Sequence, residues 1–287
     1  MTLALWPGMQ VITQPDDGLA PILKAIRRAR KSLDIVIFRF DLDEIEDALA
    51  DAVERGVAVR ALIAHTNRGG EKKLRKLESR LLKAGATLSR TNDDMVRYHG
   101  KVMIVDQKKA FVFGFNFTAL DLKKSRSLGL STVNPKIIRA LTKVIDADHN
   151  RVAPTIASPR LVVSPENARA QLSSFITKAR RELLIYDVNV CDDAMLAVLM
   201  KRAAAGVKVK ILGALEKKWQ DPVFKVKPLR GMRLHVRAIV RDRKAAFVGS
   251  QSLRKLELDK RREVGMITKD RRAAARIAAI FDADWKA

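Results

Sequence analysis

The sequence has little cysteine, few aromatic residues and no long apolar run. Cys191 is the single cysteine among 287 residues, which excludes an internal disulfide and a zinc site built from several cysteines. Apolar runs such as 33–38 have the length of a strand and fall far short of the roughly 20 residues that span a bilayer. No integral membrane segment is therefore expected. The first eight residues also lack the basic and apolar regions of a secretory signal, so we predict a cytoplasmic protein.

Acidic residues are scarce relative to basic ones. The chain has 56 Lys and Arg against 32 Asp and Glu, a net charge of +24. Such an excess predicts a polyanionic partner, either nucleic acid or an anionic phospholipid surface. Aromatic residues make up only 5% of the chain, which leaves few platforms for stacking single-stranded bases and little material for a membrane-inserting loop. Contacts to a phosphate backbone are therefore the expected mode of binding to nucleic acid.

The most informative stretch covers residues 98–116. It contains a His-x-Lys-x4-Asp run formed by His99, Lys101 and Asp106, with Asn116 ten residues after the aspartate. Alternating apolar residues predict two strands joined by a tight turn, so His99 and Lys101 project to one side and Asn116 lies alongside. An ammonium and an amide can hold the oxygens of a phosphoryl group while an imidazole attacks or donates a proton. The pattern therefore predicts a site for phosphate ester chemistry.

The pattern returns 136 residues later as a His-x-Arg-x4-Asp run, whose members are His235, Arg237, Asp242 and Ser252. Earlier matches between the halves have an offset of 150, so the second half lacks 14 residues, which correspond to part of a basic helix predicted at 71–85. Residues 151–159 have the composition of a linker. We therefore predict two repeats, 1–152 and 160–287. Because strands alternate with helices, each repeat is expected to be α/β, a mixed sheet covered by helices.

The duplicated motif resembles that of the phospholipase D superfamily, whose signature is two His-x-Lys-x4-Asp runs, each with a nearby asparagine and a downstream acidic residue. The resemblance implies two repeats packed with pseudo-twofold symmetry around one shared active site, so that a monomer suffices for a complete site. Three positions depart from the pattern. Arg237 replaces a lysine, Ser252 replaces an asparagine, and Ser127 stands where the other half has Glu263.

The resemblance also implies a mechanism without metal or other cofactor. One histidine attacks phosphorus and forms a covalent phosphohistidine, and the other protonates the leaving alkoxide before it activates water or an acceptor alcohol. The expected ligands of the phosphoryl oxygens are Lys101 and Arg237, with hydrogen bonds from Asn116 and Ser252.

The acidic residue of each repeat is expected to contact the histidine of the other repeat. Glu263 would then orient His99, whereas His235 would face Ser127. A carboxylate on an imidazole fixes its tautomer and stabilises its positive charge, which favours His99 as nucleophile and His235 as general acid and base. The motif aspartates, Asp106 and Asp242, are expected to hold their own turns.

The sequence leaves the substrate open between nucleic acid and phospholipid. Members of the superfamily cleave or exchange phospholipid head groups, make cardiolipin or cut nucleic acids. Basic clusters that follow both motifs favour nucleic acid slightly; they comprise Lys123, Lys124, Arg126, Arg254, Lys255, Lys260, Arg261 and Arg262. A phospholipase D or phosphatidyltransferase is the alternative enzyme. A phosphate- or nucleic-acid-binding module weakened in catalysis is the alternative of another class.

Overall fold

A computed structural model describes residues 9–65, 71–91, 95–216, 218 and 221–287. Residues 1–8, from which we argued that no secretory signal is present, lie outside this part of the chain. The strands are β1 (Gln10–Gln14), β2 (Ser32–Ile37), β3 (Ala58–Ile63), β4 (Thr87–Arg90), β5 (Arg97–Tyr98), β6 (Val102–Val105), β7 (Lys109–Phe113), β8 (Ser125–Thr132), β9 (Leu161–Ser164), β10 (Glu182–Val190), β11 (Lys208–Leu215), β12 (Phe224–Lys227), β13 (Arg233–Leu234), β14 (Ala238–Arg241), β15 (Ala245–Gly249) and β16 (Arg261–Thr268). The helices are α1 (Ala20–Arg27), α2 (Asp43–Glu54), α3 (Glu71–Ala84), α4 (Ala119–Lys123), α5 (Pro135–His149), α6 (Ala168–Thr177), α7 (Asp193–Ala204), α8 (Lys255–Asp259) and α9 (Arg271–Lys286).

The strands form two eight-stranded mixed sheets of the same topology. The first has the order β1-β8-β7-β6-β2-β3-β4, and the second has the order β12-β11-β10-β14-β15-β16-β5, with β13 and β9 attached beside β8 and β16. In the first sheet β2, β3 and β4 run parallel, and the pairs from β2 to β1 through β6, β7 and β8 are antiparallel. The predicted α/β class with two similar repeats is confirmed.

Each repeat gives one short strand to the sheet of the other repeat. Strand β5 pairs in parallel with β16, and β13 pairs in parallel with β8. The motif histidines follow these strands directly, and their backbone amides continue the pairing: His99 N donates to Arg262 O at 2.7 Å and His235 N donates to Arg126 O at 3.1 Å. The exchange places the two motifs at one interface. Strands β5 and β13 each belong to the sheet of the other repeat, so the repeats are not separate along the chain. The boundaries 1–152 and 160–287 stay a prediction.

The repeats also share a hydrophobic core. One buried cluster joins the inner faces of both sheets to helices α5 and α9, and it includes Val102, Ile104, Val240 and Phe281. The two sheets approach closely at Gly114, where a Cβ would lie 2.8 Å from Leu128 O and 3.0 Å from Gly249 O. Two further clusters lie on the outer faces, one in each repeat. Burial of apolar surface between the repeats is thus part of what holds the active-site interface together.

Helix α3 is amphipathic, as its sequence predicted. Leu74, Leu77 and Leu81 recur at helical spacing and are fully buried, whereas most of its lysines are exposed to solvent. The described residues between β11 and β12 contain no corresponding α-helix. This difference accounts for the 14 residues that the second repeat lacks. No helix in the described ranges is both long enough and apolar enough to cross a membrane.

Candidate active site

His99 contacts the acidic residue of the opposite repeat. It lies in a link between β5 and β6, so the strand predicted as continuous through the motif is interrupted here. Its Nδ1 lies 2.8 Å from Oε2 of Glu263 on β16, and the Glu263 side chain is fully buried. The Phe38 ring packs edge-on against the imidazole, with 4.7 Å between ring centroids. The carboxylate and the ring fix the orientation of the imidazole and engage it at Nδ1, not at Nε2.

Two cations hold equivalent positions beside the two histidines. Lys101 Nζ donates to the His99 carbonyl at 2.6 Å, and Arg237 Nη1 donates to the His235 carbonyl at 2.8 Å. The Lys101 side chain is 1% exposed, and burial lowers its pKa to about 7. Arg237 therefore occupies the place of the lysine in the second motif.

Burial and the surrounding cations lower the pKa of both histidines well below the usual value. For His99 the cations are Lys101, Arg237, Arg261 and Arg97. For His235 burial acts first, Arg237 adds to it, and Asp121 acts in the opposite direction. Burial raises the pKa of Glu263 to about 7, although Lys101 counteracts it. Both imidazoles are thus neutral near pH 7 in the free protein. Lys101 and Arg237 act on both histidines, so the two motifs lie close together.

His235 has a carboxylate neighbour that the sequence analysis missed. The Oγ of Ser127 lies 3.4 Å from His235 Nδ1, in the place that the repeat offset predicted. Asp121 on α4 lies beside it, with Oδ2 at 3.3 Å from the same nitrogen. His235 does lie beside Ser127, and in addition Asp121, a residue of helix α4, supplies the acidic group that β8 lacks.

Asn116 and Ser252 differ in what they offer a phosphate. Asn116 Nδ2 donates to Asp121 Oδ2 at 2.7 Å, which uses one N–H and leaves the second. The Ser252 hydroxyl is fully buried and donates its single proton to Asp187. A hydroxyl whose proton is engaged cannot donate to a phosphoryl oxygen. Ser252 is thus placed as a structural residue, and the expected phosphate contact is not supported at this position.

The motif aspartates hold the loops that precede β2 and β10. Asp106 Oδ1 accepts from the amides of Lys31 at 2.7 Å and Ser32 at 3.0 Å. Asp242 Oδ1 does the same for Arg181 at 2.7 Å and Glu182 at 3.1 Å. Each aspartate itself has a positive φ of 52° in the hairpin turn. Their contacts are structural, to neighbouring loops as well as to the turn.

The basic clusters predicted to form a polyanion-binding surface divide into two groups. Lys123, Lys124, Lys255 and Lys260 are exposed, whereas Arg254 and Arg261 are half-buried beside Glu257. The expectation is wrong for Arg126 and Arg262, which are 8% and 2% exposed. Each forms a buried ion pair with an aspartate of the opposite repeat, so neither guanidinium reaches the surface.

Two arginines at the site were also missed. Arg97 and Arg233 lie two residues before the motif histidines, on the exchanged strands β5 and β13. The Arg97 guanidinium lies 5.4 Å from the Phe38 ring centroid, and Arg233 Nη1 donates to Asp121 Oδ1 at 2.6 Å. The signal was present, because the two arginines obey the same offset of 136 as the motifs. Among the described residues no group of three or more His, Cys, Asp or Glu side chains is arranged to hold a metal ion.

Comparison with known proteins agrees with this architecture. A family model described as "Cardiolipin synthase, PLD-like domain" matches residues 22–149 and 172–285. Polyphosphate kinase from Porphyromonas gingivalis has a TM-score of 0.79 at 16% identity over 96% of this chain, which spans 50% of the kinase. Phosphatidylserine synthase from Haemophilus influenzae Rd KW20 has a TM-score of 0.71 at 10% identity, covering 97% of this chain and 85% of the synthase.

A third solved structure is Nuc, a phospholipase D family member from Salmonella typhimurium, with a TM-score of 0.46 at 24% identity, covering 52% of this chain and 99% of Nuc. No curated protein matches the sequence. The likeness to the kinase and the synthase concerns the fold, whereas the family model covers most of the chain and includes both motifs. The chain belongs to the phospholipase D-like family.

Proposed function

We propose that this chain is a metal-independent phosphodiesterase that acts through a covalent phosphohistidine, with nucleic acid as its preferred substrate. The observation that carries the proposal is the contact of His99 Nδ1 with Glu263 Oε2 at 2.8 Å, beside the cations Lys101 and Arg237. A neutral imidazole held in this way presents Nε2 as a nucleophile. The cations stabilise the charge that develops on the phosphoryl oxygens.

In the first step, the lone pair of His99 Nε2 attacks phosphorus while the bond from phosphorus to the leaving oxygen breaks. Binding of the anionic substrate favours the imidazolium form of His235. This form donates its Nε2 proton to the leaving oxygen, so an alcohol departs and His235 is left neutral. The imidazole of His99 becomes positively charged as the phosphorus–nitrogen bond forms. Glu263 stabilises this charge because its carboxylate contacts the other ring nitrogen.

In the second step, the neutral His235 takes a proton from water, and the hydroxide attacks phosphorus. The phosphorus–nitrogen bond breaks and its electron pair returns to His99. In both steps, Lys101, Arg237 and the second N–H of Asn116 contact the non-bridging oxygens. Both histidines come from one chain, so a monomer suffices for this cycle.

Nucleic acid is favoured by the charge of the surface next to the site. Four exposed lysines follow the two motifs: Lys123, Lys124, Lys255 and Lys260. They belong to a chain with a net charge of +24. Lysines of this kind contact backbone phosphates without reading base sequence.

Two other functions are compatible with the same residues. A phospholipase D or phosphatidyltransferase would use an alcohol in place of water, and the family model that matches is described as cardiolipin synthase. A binding module would retain the cations that bind phosphate but would not catalyse a reaction. Retention of His99, His235, Lys101 and Glu263 argues for an enzyme.

The test is to incubate the protein in EDTA at low salt with end-labelled single- and double-stranded DNA and RNA. Parallel reactions contain anionic phospholipid vesicles and inorganic polyphosphate. The variant His99→Ala tests the nucleophile, and His149→Ala is the matched control, because His149 lies at the end of α5. Cleavage of nucleic acid in EDTA that is lost only with His99→Ala supports the proposal.

Other outcomes contradict parts of the proposal. Head-group release without nucleic-acid cleavage moves the substrate to phospholipid. Steep salt-dependent binding without turnover of any substrate identifies a binding module. Mass spectrometry of acid-sensitive phosphopeptides after rapid quenching locates the covalent intermediate, and a phosphate on His235 would overturn the assignment of His99 as nucleophile.

A further inference from the structure

The two histidines of the site receive their carboxylates from different structural elements. Glu263, which contacts His99, lies on β16. The equivalent position on β8 is Ser127, and the carboxylate at His235 is Asp121, which lies in the first turn of α4. The position in the second repeat that corresponds to Asp121 is Glu257, whose closest charged partner is Arg261 at 3.0 Å. The acidic group has therefore changed position between the repeats.

The Asp121 carboxylate is buried and held by several donors. Asp121 is 2% exposed to solvent. Oδ2 accepts from the backbone N of Asn116 at 2.8 Å and from its Nδ2 at 2.7 Å, and Oδ1 accepts from Arg233 Nη1 at 2.6 Å. Thr118 caps α4 by accepting from the Asp121 amide at 3.2 Å. These contacts fix the carboxylate in the orientation that meets His235.

The charge state of Asp121 agrees with this geometry. Burial alone would raise its pKa, but His235, Asn116 and Arg233 together lower it below the usual value, so the carboxylate is ionised at neutral pH. Ser127 is small and fully buried, and its hydroxyl lies near the same ring nitrogen. A short side chain on β8 leaves room for Asp121 to reach the imidazole from α4.

We propose that Asp121 is the positioning residue for His235, a role that rests on the proposed function of His235 as general acid and base. The carboxylate lies 3.3 Å from Nδ1 and attracts a proton on that nitrogen, which favours the Nδ1–H tautomer and leaves Nε2 facing the leaving oxygen. The proton that moves in the reaction is the one that Nε2 carries in the imidazolium form, and Asp121 itself stays ionised throughout.

The two carboxylates differ in a way that fits two different tasks. Glu263 Oε2 lies 2.8 Å from His99 Nδ1, within hydrogen-bond distance, so the carboxylate directly stabilises a positive imidazole. The Asp121 carboxylate also accepts hydrogen bonds from Arg233 and Asn116, and its Oδ2 lies 3.3 Å from His235 Nδ1. The weaker partner leaves His235 the stronger acid, which suits protonation of a leaving group. Both histidines have a carboxylate neighbour. The nucleophile and the acid thus differ in how strongly that carboxylate stabilises the positively charged imidazole.

The experiment compares Asp121→Asn, Ser127→Ala and the double variant Asp121→Asn with Ser127→Glu. The double variant moves the carboxylate to the position that Glu263 has in the other repeat. The chain has only four histidines, so nitrogen NMR of the imidazoles can be assigned by substitution. This measurement gives the tautomer and pKa of His235 in the free protein, without turnover.

Asp121→Asn is expected to lower kcat about 100-fold to 1,000-fold, to lower the pKa of His235 and to move the pH profile of kcat in the same direction. The double variant should recover at least about tenfold of kcat and restore the Nδ1–H tautomer. Ser127→Ala keeps the Asp121 carboxylate and should therefore change the tautomer and the pH profile much less than Asp121→Asn does.

Two results would overturn the proposal. One is a pKa and tautomer of His235 that Asp121→Asn leaves unchanged. The other is Ser127→Ala producing the loss expected of Asp121→Asn, which would make the serine the partner. If the wild-type protein turns over no phosphodiester while Asp121→Asn still shifts the His235 signal, the proposed function fails and the pairing of Asp121 with His235 stands.

Discussion

Arg126 on β8 forms a buried ion pair with Asp284 on α9, with Nε 2.9 Å from Oδ2. Arg262 on β16 forms the equivalent pair with Asp148 on α5, also at 2.9 Å. Each pair joins one repeat to the other, and the carbonyls of the same two arginines receive the amides of His235 and His99. The residues that lock the repeats together therefore also fix the backbone of the two histidine motifs.

Replacing Arg126 with Met is expected to destabilise the protein strongly, because it leaves Asp284 buried without its cationic partner. Loss of one member of a buried pair costs about 3–5 kcal/mol of unfolding free energy. Urea denaturation followed by circular dichroism measures the change. Lys218→Met is the control, since Lys218 and Asp193 form an exposed pair that should not affect the midpoint. Equal midpoints for both variants would contradict the locking role.

Glu263→Gln is expected to lower kcat about 100-fold to 10,000-fold with little change in KM. The amide cannot stabilise the positive imidazole of His99 as a carboxylate does. Steady-state kinetics on the substrate that the cleavage experiment identifies provides the measurement. Glu46→Gln is the matched control, because Glu46 is also a buried, ion-paired glutamate but lies on α2 and pairs with Arg80. Equal losses in both variants would indicate a general effect on folding.

Binding of a phosphate-bearing ligand near pH 8 is expected to take up protons. The pKa of Lys101 is lowered to about 7 in the free protein, so its amine is mostly neutral at pH 8. A bound anion favours the ammonium, which raises the pKa and draws a proton from the buffer. Calorimetry with a non-cleavable dinucleotide analogue in buffers of different ionisation enthalpy measures this uptake. Lys101→Arg should reduce it by up to about one proton, and an unchanged uptake would exclude Lys101 as its source.

The exposed lysines after the motifs are expected to set the salt dependence of nucleic-acid binding. Changing Lys123, Lys124, Lys255 and Lys260 to Gln should reduce the slope of log K against log salt by up to about 3–4 for duplex DNA. The control carries the same change of net charge on α3, at Lys72, Lys73, Lys76 and Lys83, all of which are exposed. Equal slopes in the two quadruple variants would mean that net charge, and not a defined surface, governs binding.

Much of the site follows from the sequence because the repeat makes distant residues comparable. The offset of 136 pairs His99 with His235 and Lys101 with Arg237, and the resemblance placed Glu263 at His99, where the structure has it. Arg126 and Arg262 were misplaced for a physical reason. A run of basic residues does not reveal which side chains alternate inward along a strand and meet a buried aspartate from another repeat.

The sequence by itself determined the α/β class, the duplication and the two histidines and two cations of the motifs, since these depend on local patterns and on spacing along the chain. Only the tertiary structure decided which carboxylate reaches each imidazole. That choice depends on the exchange of β5 and β13, which brings α4 and β16 to opposite histidines, and on the small side chain of Ser127, which admits Asp121. Contacts between elements far apart in the chain follow from packing, which no local pattern encodes.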